Sequence, residues 1–134
     1  MPDSLFVLAG VWLGADSAAV RRLLGTPAGI TTDAATETLG YTFTTWTYPE
    51  LTVTFADSAV AYVTCTHGSC KLPNGIGIGM SRRAVEGRLG PPAVLPRREP
   101  PDRASYVGRA SDCGITIEYR DDRVLALRLW CDYS

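Results

Sequence analysis

The feature that most constrains this chain is a repeat inside it. Residues 11–27 read Val11-Trp-Leu-Gly-Ala-Asp-Ser-Ala-Ala-Val-Arg-Arg-Leu-Leu-Gly-Thr-Pro27, and residues 76–92 read Ile76-Gly-Ile-Gly-Met-Ser-Arg-Arg-Ala-Val-Glu-Gly-Arg-Leu-Gly-Pro-Pro92. At one offset of about 65 residues, Gly14 aligns with Gly79, Val20 with Val85, Leu24 with Leu89, Gly25 with Gly90 and Pro27 with Pro92. Self-similarity at a fixed period is the mark of duplicated structural units. A chain of 134 residues suits one domain better than two independent ones. The expectation is therefore a single domain built of two copies, about 5–70 and about 71–134.

Each copy predicts a short helix followed by a hairpin. Asp16 and Ser81 are placed to cap helices, accepting hydrogen bonds from free first-turn amides. Val20, Leu23 and Leu24 fall at i, i+3 and i+4 and predict one apolar face. Gly25 and Gly90, with Pro27 and Pro92 just beyond, predict left-handed helix stops. Helices of about ten residues are too short to stand alone and need a sheet to pack on. In the second copy Ile115, Ile117 and Tyr119 alternate with polar residues. Folding about Asp122 sets them opposite Leu129, Leu127 and Leu125. The first copy matches, with Leu51, Val53 and Phe55 opposite Cys65, Val63 and Ala61 across a turn at Asp57-Ser58. A strand rich in Thr and aromatics is expected at about 39–48, with a weaker counterpart near 106–109. Residues 26–40 and the proline-rich 91–104 read as long loops, natural places for variation and binding. The fold class that follows is α+β: one antiparallel sheet with short helices on one face.

Four cysteines are present. The hairpin register puts Cys113 opposite Cys131, and Cys65 and Cys70 flank a short turn. Two local disulfides, and hence an oxidising compartment, are the leading expectation. Buried free thiols and a zinc site are the alternatives, the latter disfavoured because Cys113 and Cys131 lack close paired spacing.

The formal net charge of −1 gives no field to attract nucleic acid, and no apolar run is long enough to cross a bilayer. Residues 5–13 are apolar, but Met1-Pro-Asp-Ser ahead of them carries no positive charge, which argues against a signal peptide. An exported protein would have lost its leader ahead of this sequence, whereas a native Met1 would favour the cytoplasm. Catalytic signals are weak. His67, the single histidine, has Cys65, Ser69 and Cys70 as neighbours, yet a loop histidine beside a disulfide explains it better than a nucleophile–base pair. Asp121-Asp122 suits a hairpin turn better than acid–base work. Gly75-Ile-Gly-Ile-Gly lacks the lysine of a phosphate loop and the spacing of a dinucleotide fingerprint. No cofactor or metal is called for.

Binding features are stronger. Trp46 and Tyr48 share one phase of the aromatic strand. Trp130 falls on the face opposite the Ile/Leu set, beside Arg128 and Arg120. Aromatics with arginine on a sheet's outer face fit a protein-binding surface. Burial of these tryptophans by loops or by the other copy is the competing reading.

The stretch from Ile76 to Pro92 resembles the Gly-Met-Ser/Thr helix of the small outer-membrane lipoprotein family (SmpA/OmlA, or BamE), a helix that the β-lactamase inhibitory proteins carry in two tandem copies. The resemblance extends over nearly the whole chain. It departs from the pattern in the first copy, where Gly-Ala-Asp stands in place of Gly-Met-Ser/Thr, and in having no N-terminal cysteine to carry lipid. It implies export to the periplasm or cell exterior and action by contact with another protein, as an inhibitor, an immunity-type protein or an envelope-assembly component. By position, Tyr41, Trp46, Tyr48, Arg128 and Trp130 are the residues such a face would use.

Overall fold

The computed structural model describes residues 7–33, 42–68, 70–90, 102–107 and 113–131. Two eight-residue helices, α1 (Ser17–Leu24) and α2 (Arg82–Leu89), form where their boundaries dictate. Asp16 Oδ1 accepts from the Ala19 amide at 2.8 Å, and Ser81 Oγ from that of Ala84 at 3.2 Å. Each helix ends on a glycine whose amide closes the last turn at 2.8 Å, Gly25 on Arg21 and Gly90 on Glu86. The stop differs from the expected left-handed one. Gly25 has φ 82° and ψ −159°, and Gly90 has φ 78° and ψ −167°, a region open essentially to glycine alone. The apolar face of α1 is also narrower than its spacing predicts. Val20 is fully buried, but Leu23 is 50% exposed and leans toward the turn at Gly10.

Nine strands are assigned among the described residues. β1 (Val7–Leu8) and β2 (Val11–Trp12) make a small hairpin turned by Ala9 and Gly10 at positive φ. The other seven form one antiparallel sheet: β3 (Gly29–Asp33), β4 (Phe43–Thr47), β5 (Leu51–Ala56), β6 (Ala59–Cys65), β7 (Arg103–Val107), β8 (Cys113–Arg120) and β9 (Arg123–Cys131). Their order is β3-β4-β5-β6-β9-β8-β7. The fold is thus α+β, with two helices packed against a large antiparallel sheet. The central joint is β6 with β9, which pairs Tyr62 with Trp130, Thr64 with Arg128 and Cys65 with Leu127.

Both hairpins hold the expected register at their open ends and slip near their tips. Leu51 pairs with Cys65 and Val53 with Val63, but Phe55 pairs with Val60, not Ala61. Ile115 pairs with Leu129 and Ile117 with Leu127, but Tyr119 pairs with Val124, not Leu125. In each case a β-bulge inserts one extra residue, Ala61 or Leu125, into the second strand. Leu125 is consequently 43% exposed. The bulges have a structural use. The freed Val60 backbone bonds Gly14 and Ala15, and that of Val124 bonds Gly79 and Met80, all at 2.8–2.9 Å. Each hairpin tip thereby anchors the entry to a helix.

The expected loop at 26–40 contains the edge strand β3, because Ile30, Thr31 and Thr32 suit a ladder and find the threonine-rich β4 beside them. The weaker strand expected near 106–109 begins earlier, at Arg103. The core lies between the sheet and the helices and is built from the inward phase of each strand, including Val53, Phe55, Val63, Ile115, Ile117, Leu127 and Leu129.

Candidate functional site: the helix-free face of the sheet

Period-two alternation sends one set of side chains under the helices and the other to the opposite face. The first set includes Trp46, which pairs in register with Val53. Its ring meets Phe55 edge-on at 4.7 Å between centroids, and the Arg21 guanidinium of α1 lies 5.2 Å over it. Trp46 is only 8% exposed. Tyr48, half-buried at the end of the same strand, donates its hydroxyl to the Gly25 carbonyl at 2.9 Å. Burial raises its phenol above the ordinary value, against the opposing pull of Arg21. Tyr106 makes the matching bond to the Gly90 carbonyl at 3.2 Å. Trp46 and Tyr48 therefore belong to the helix side. Tyr41 lies outside the described residues.

The opposite face carries Phe43, Thr45, Thr54, Tyr62, Thr64, Thr116, Glu118, Arg128 and Trp130. Phe43 and Tyr62 tilt against each other at 6.0 Å between ring centroids, and Tyr62 is the direct register partner of Trp130. Trp130 is half-buried, and its indole Nε1 donates to Thr116 Oγ1 at 3.0 Å. That hydroxyl lies 2.9 Å from Ser105 Oγ, so the indole is oriented by a short polar chain. Trp130 lies across Gly114 of the neighbouring strand. A Cβ there would come within 2.5 Å of the ring and 2.6 Å of the Tyr106 carbonyl oxygen. Arg128, exposed, pairs with Glu118 at 3.0 Å, and Arg103 approaches the same carboxylate at 3.6 Å. One carboxylate between two guanidinium groups leaves this end of the face positive. Solvent screening keeps each such pair to about 0–1 kcal/mol.

Of the residues named from sequence, Arg128 and Trp130 come together here. Phe43, Tyr62 and Gly114 join them, and sequence reasoning missed all three. Phe43 and Tyr62 were legible as the outward phase of their strands. Gly114, a glycine within a strand, signals close approach of another group.

The cysteines are bonded as Cys65–Cys70 and Cys113–Cys131. Neither Cys65 nor Cys70 then offers a thiol nucleophile to His67. The histidine is exposed, with the Thr66 hydroxyl 3.2 Å from Nδ1, beside a cleft of about 130 Å³. Ser69 lies outside the described residues. Among the described residues no group of three or more His, Cys, Asp or Glu side chains is placed to hold a metal ion, and no helix is long and apolar enough to cross a membrane.

No family model matches the sequence, and no curated protein matches it. Solved structures do resemble it. A cysteine-rich secretory protein from Staphylococcus aureus superposes with a TM-score of 0.67 at 14% identity, over 98% of this chain and 48% of that one. An extracellular protein containing an SCP domain, from Bacillus anthracis, gives 0.55 at 14% identity over 90% of this chain and 44% of that one. A third structure, described as a putative β-lactamase inhibitor protein from Streptococcus mutans, gives 0.40 at 13% identity over 83% and 79%, too low to indicate a common fold. The chain thus spans about half the length of the first two proteins, and at these identities the likeness is one of fold.

The expected membership of the SmpA/OmlA family is corrected by these findings. The motif that suggested it is helix-boundary chemistry: a positive-φ glycine, a capping Asp or Ser, and a glycine stop before proline. Those residue types are favoured at the ends of any short helix entered and left in this way, whatever its descent.

Proposed function

We propose that this chain is an exported, non-enzymatic protein-binding module that meets its partner through the helix-free face of its sheet. The observation that carries this reading is the strip Phe43, Tyr62 and Trp130 beside Arg128. Tryptophan, tyrosine and arginine supply most hot-spot energy at protein interfaces, and rigid rings held by neighbours lose little entropy on binding. The surrounding threonines are uncharged, so covering them costs less than covering ionised side chains, and the Thr45 and Thr54 hydroxyls already partner each other. The positive Arg103–Glu118–Arg128 cluster favours a partner that brings a carboxylate to this end. Two disulfides support an oxidising, extracytoplasmic location. So does the fold's likeness to half of two proteins described as secretory and extracellular.

The reading extends to architecture. The bulges that tie Val60 and Val124 to the helix entries, and the paired Tyr48 and Tyr106 bonds to Gly25 and Gly90, support descent from one duplicated unit. The pairing of β6 with β9 then forms the seam between copies.

The test is affinity capture from the exported proteins of the source organism. Protein retained by the wild type is expected to be lost with Trp130→Ala or Arg128→Glu, each weakening binding about 30-fold or more. It is expected to be kept with Arg22→Glu on α1. Loss with Arg22→Glu and retention with Trp130→Ala would move the contact to the helix side and overturn the proposal.

A further inference from the structure

The two edges of the sheet are unlike. On β7 the middle residues Ala104, Ser105 and Tyr106 are buried. Among the described residues β3 pairs with β4 on one side alone, and Gly29, Ile30, Thr31 and Thr32 are all exposed, Ile30 at 56%. Proteins blunt open edges with Lys, Pro, bulges or inward charges. β3, Gly-Ile-Thr-Thr-Asp, has no lysine or proline and runs in unbroken register with β4.

We propose that β3 pairs antiparallel with the β3 of a second copy of this chain, about a two-fold axis through Thr31. Three observations select a second copy over an unrelated strand. The first is self-complementarity. This register sets Thr31 against Thr31, Ile30 against Thr32 and Gly29 against Asp33, so the only charged residue of the strand meets a glycine and no like charges oppose. The second is a row of threonines that ends at this edge. Thr54 pairs with Thr45, their hydroxyls 2.9 Å apart, and Thr45 pairs with Thr31. A copy in this register continues the row, and facing threonines are favourable cross-strand neighbours. The third is that the sheet already contains such a joint, since β6 and β9 unite two strand blocks edge to edge in antiparallel register around Thr64 and Arg128. The assembly carries the helix-free faces of both copies on one continuous sheet, so that a bivalent partner could engage both.

The experiment is light scattering after size exclusion, from low to high micromolar concentration, on the wild type and two variants. The wild type is expected to approach twice the 14.4 kDa chain mass as concentration rises. Thr31→Lys places two ammonium groups opposite each other and is expected to weaken dimerisation about tenfold or more. Because Thr31 is exposed, its melting temperature should match the wild type in dilute solution. A short bismaleimide should link Thr31→Cys chains into a covalent dimer far more readily than Ile30→Cys chains, whose position faces Thr32 of the copy. A wild type that stays monomeric at the highest concentration, or a dimer that survives Thr31→Lys, would overturn the proposal.

Discussion

Trp46 and Trp130 stand on opposite faces of one sheet, and their surroundings divide the labour of the molecule. Trp46 lies beneath α1, covered by Arg21 and wedged edge-on against Phe55. Trp130 lies across Gly114 with its indole N–H held by Thr116, and the residue is only partly buried. Both are indoles on strands, and both have polar neighbours. The difference is what covers them. One face is consumed in holding the helices, and the other presents large side chains that the fold orients without fully burying. A sheet covered by helices on one side can therefore stabilise itself with one phase of its strands and keep the other for recognition.

The largest test of that division is stability. Trp46→Ala is expected to lose about 3–5 kcal/mol in chemical denaturation, as large-to-small core substitutions do. Trp130→Ala should lose well under half as much while removing partner binding. Equal losses would collapse the distinction between the faces. Replacing Cys113 and Cys131 together by serine should cost about 3 kcal/mol, and the Cys65–Cys70 pair about 2 kcal/mol, because the bond with the longer sequence separation restricts the unfolded chain more. Gly114→Ala sharpens the account of Trp130. The added methyl meets both the ring and a backbone oxygen, so a loss of about 1–3 kcal/mol should accompany a change in tryptophan emission. Wild-type emission and stability would show that the ring does not depend on this glycine.

The smallest effect concerns Tyr119, whose buried hydroxyl has no hydrogen-bond partner among the described residues. Tyr119→Phe is expected to be neutral or to stabilise by up to about 1 kcal/mol. Burial first, then Tyr106 beside it, raises this phenol above its ordinary value, with Arg82 opposing. A raised folded value means the neutral phenol contributes stability that is complete below about pH 10, the unfolded value, and is lost as pH rises beyond it. Alkaline melting curves should therefore fall less steeply for Tyr119→Phe than for the wild type.

Much of the fold was legible because it is local. Helix caps, glycine stops and the facing of Ile115 with Leu129 all depend on residues close in sequence. What the sequence hid was of two kinds. The bulges at Ala61 and Leu125 leave the hydrophobic pattern almost unchanged, since valines sit next to each of them, so the slip at Phe55 and Tyr119 could not be read. The joining of β6 to β9 is a contact between distant segments, and it alone brings Tyr62 beside Trp130. Without it Trp46, Tyr48 and Trp130 look like one aromatic set, although Trp46 shares its phase with core residues and Trp130 does not. The strand at Gly29–Asp33 was missed for a similar reason: it is short, carries one glycine and two threonines, and is defined by its neighbour β4.

The most direct test of the two-faced account is site-specific photo-crosslinking. A photoreactive residue is placed at Thr64, beside Arg128 on the helix-free face, and in a second protein at Arg22 on α1. Each is irradiated with the exported proteins of the source organism. The account predicts an adduct from position 64 that disappears when Trp130→Ala is added, and none from position 22. Adducts from position 22 alone, or from position 64 regardless of Trp130, would contradict it.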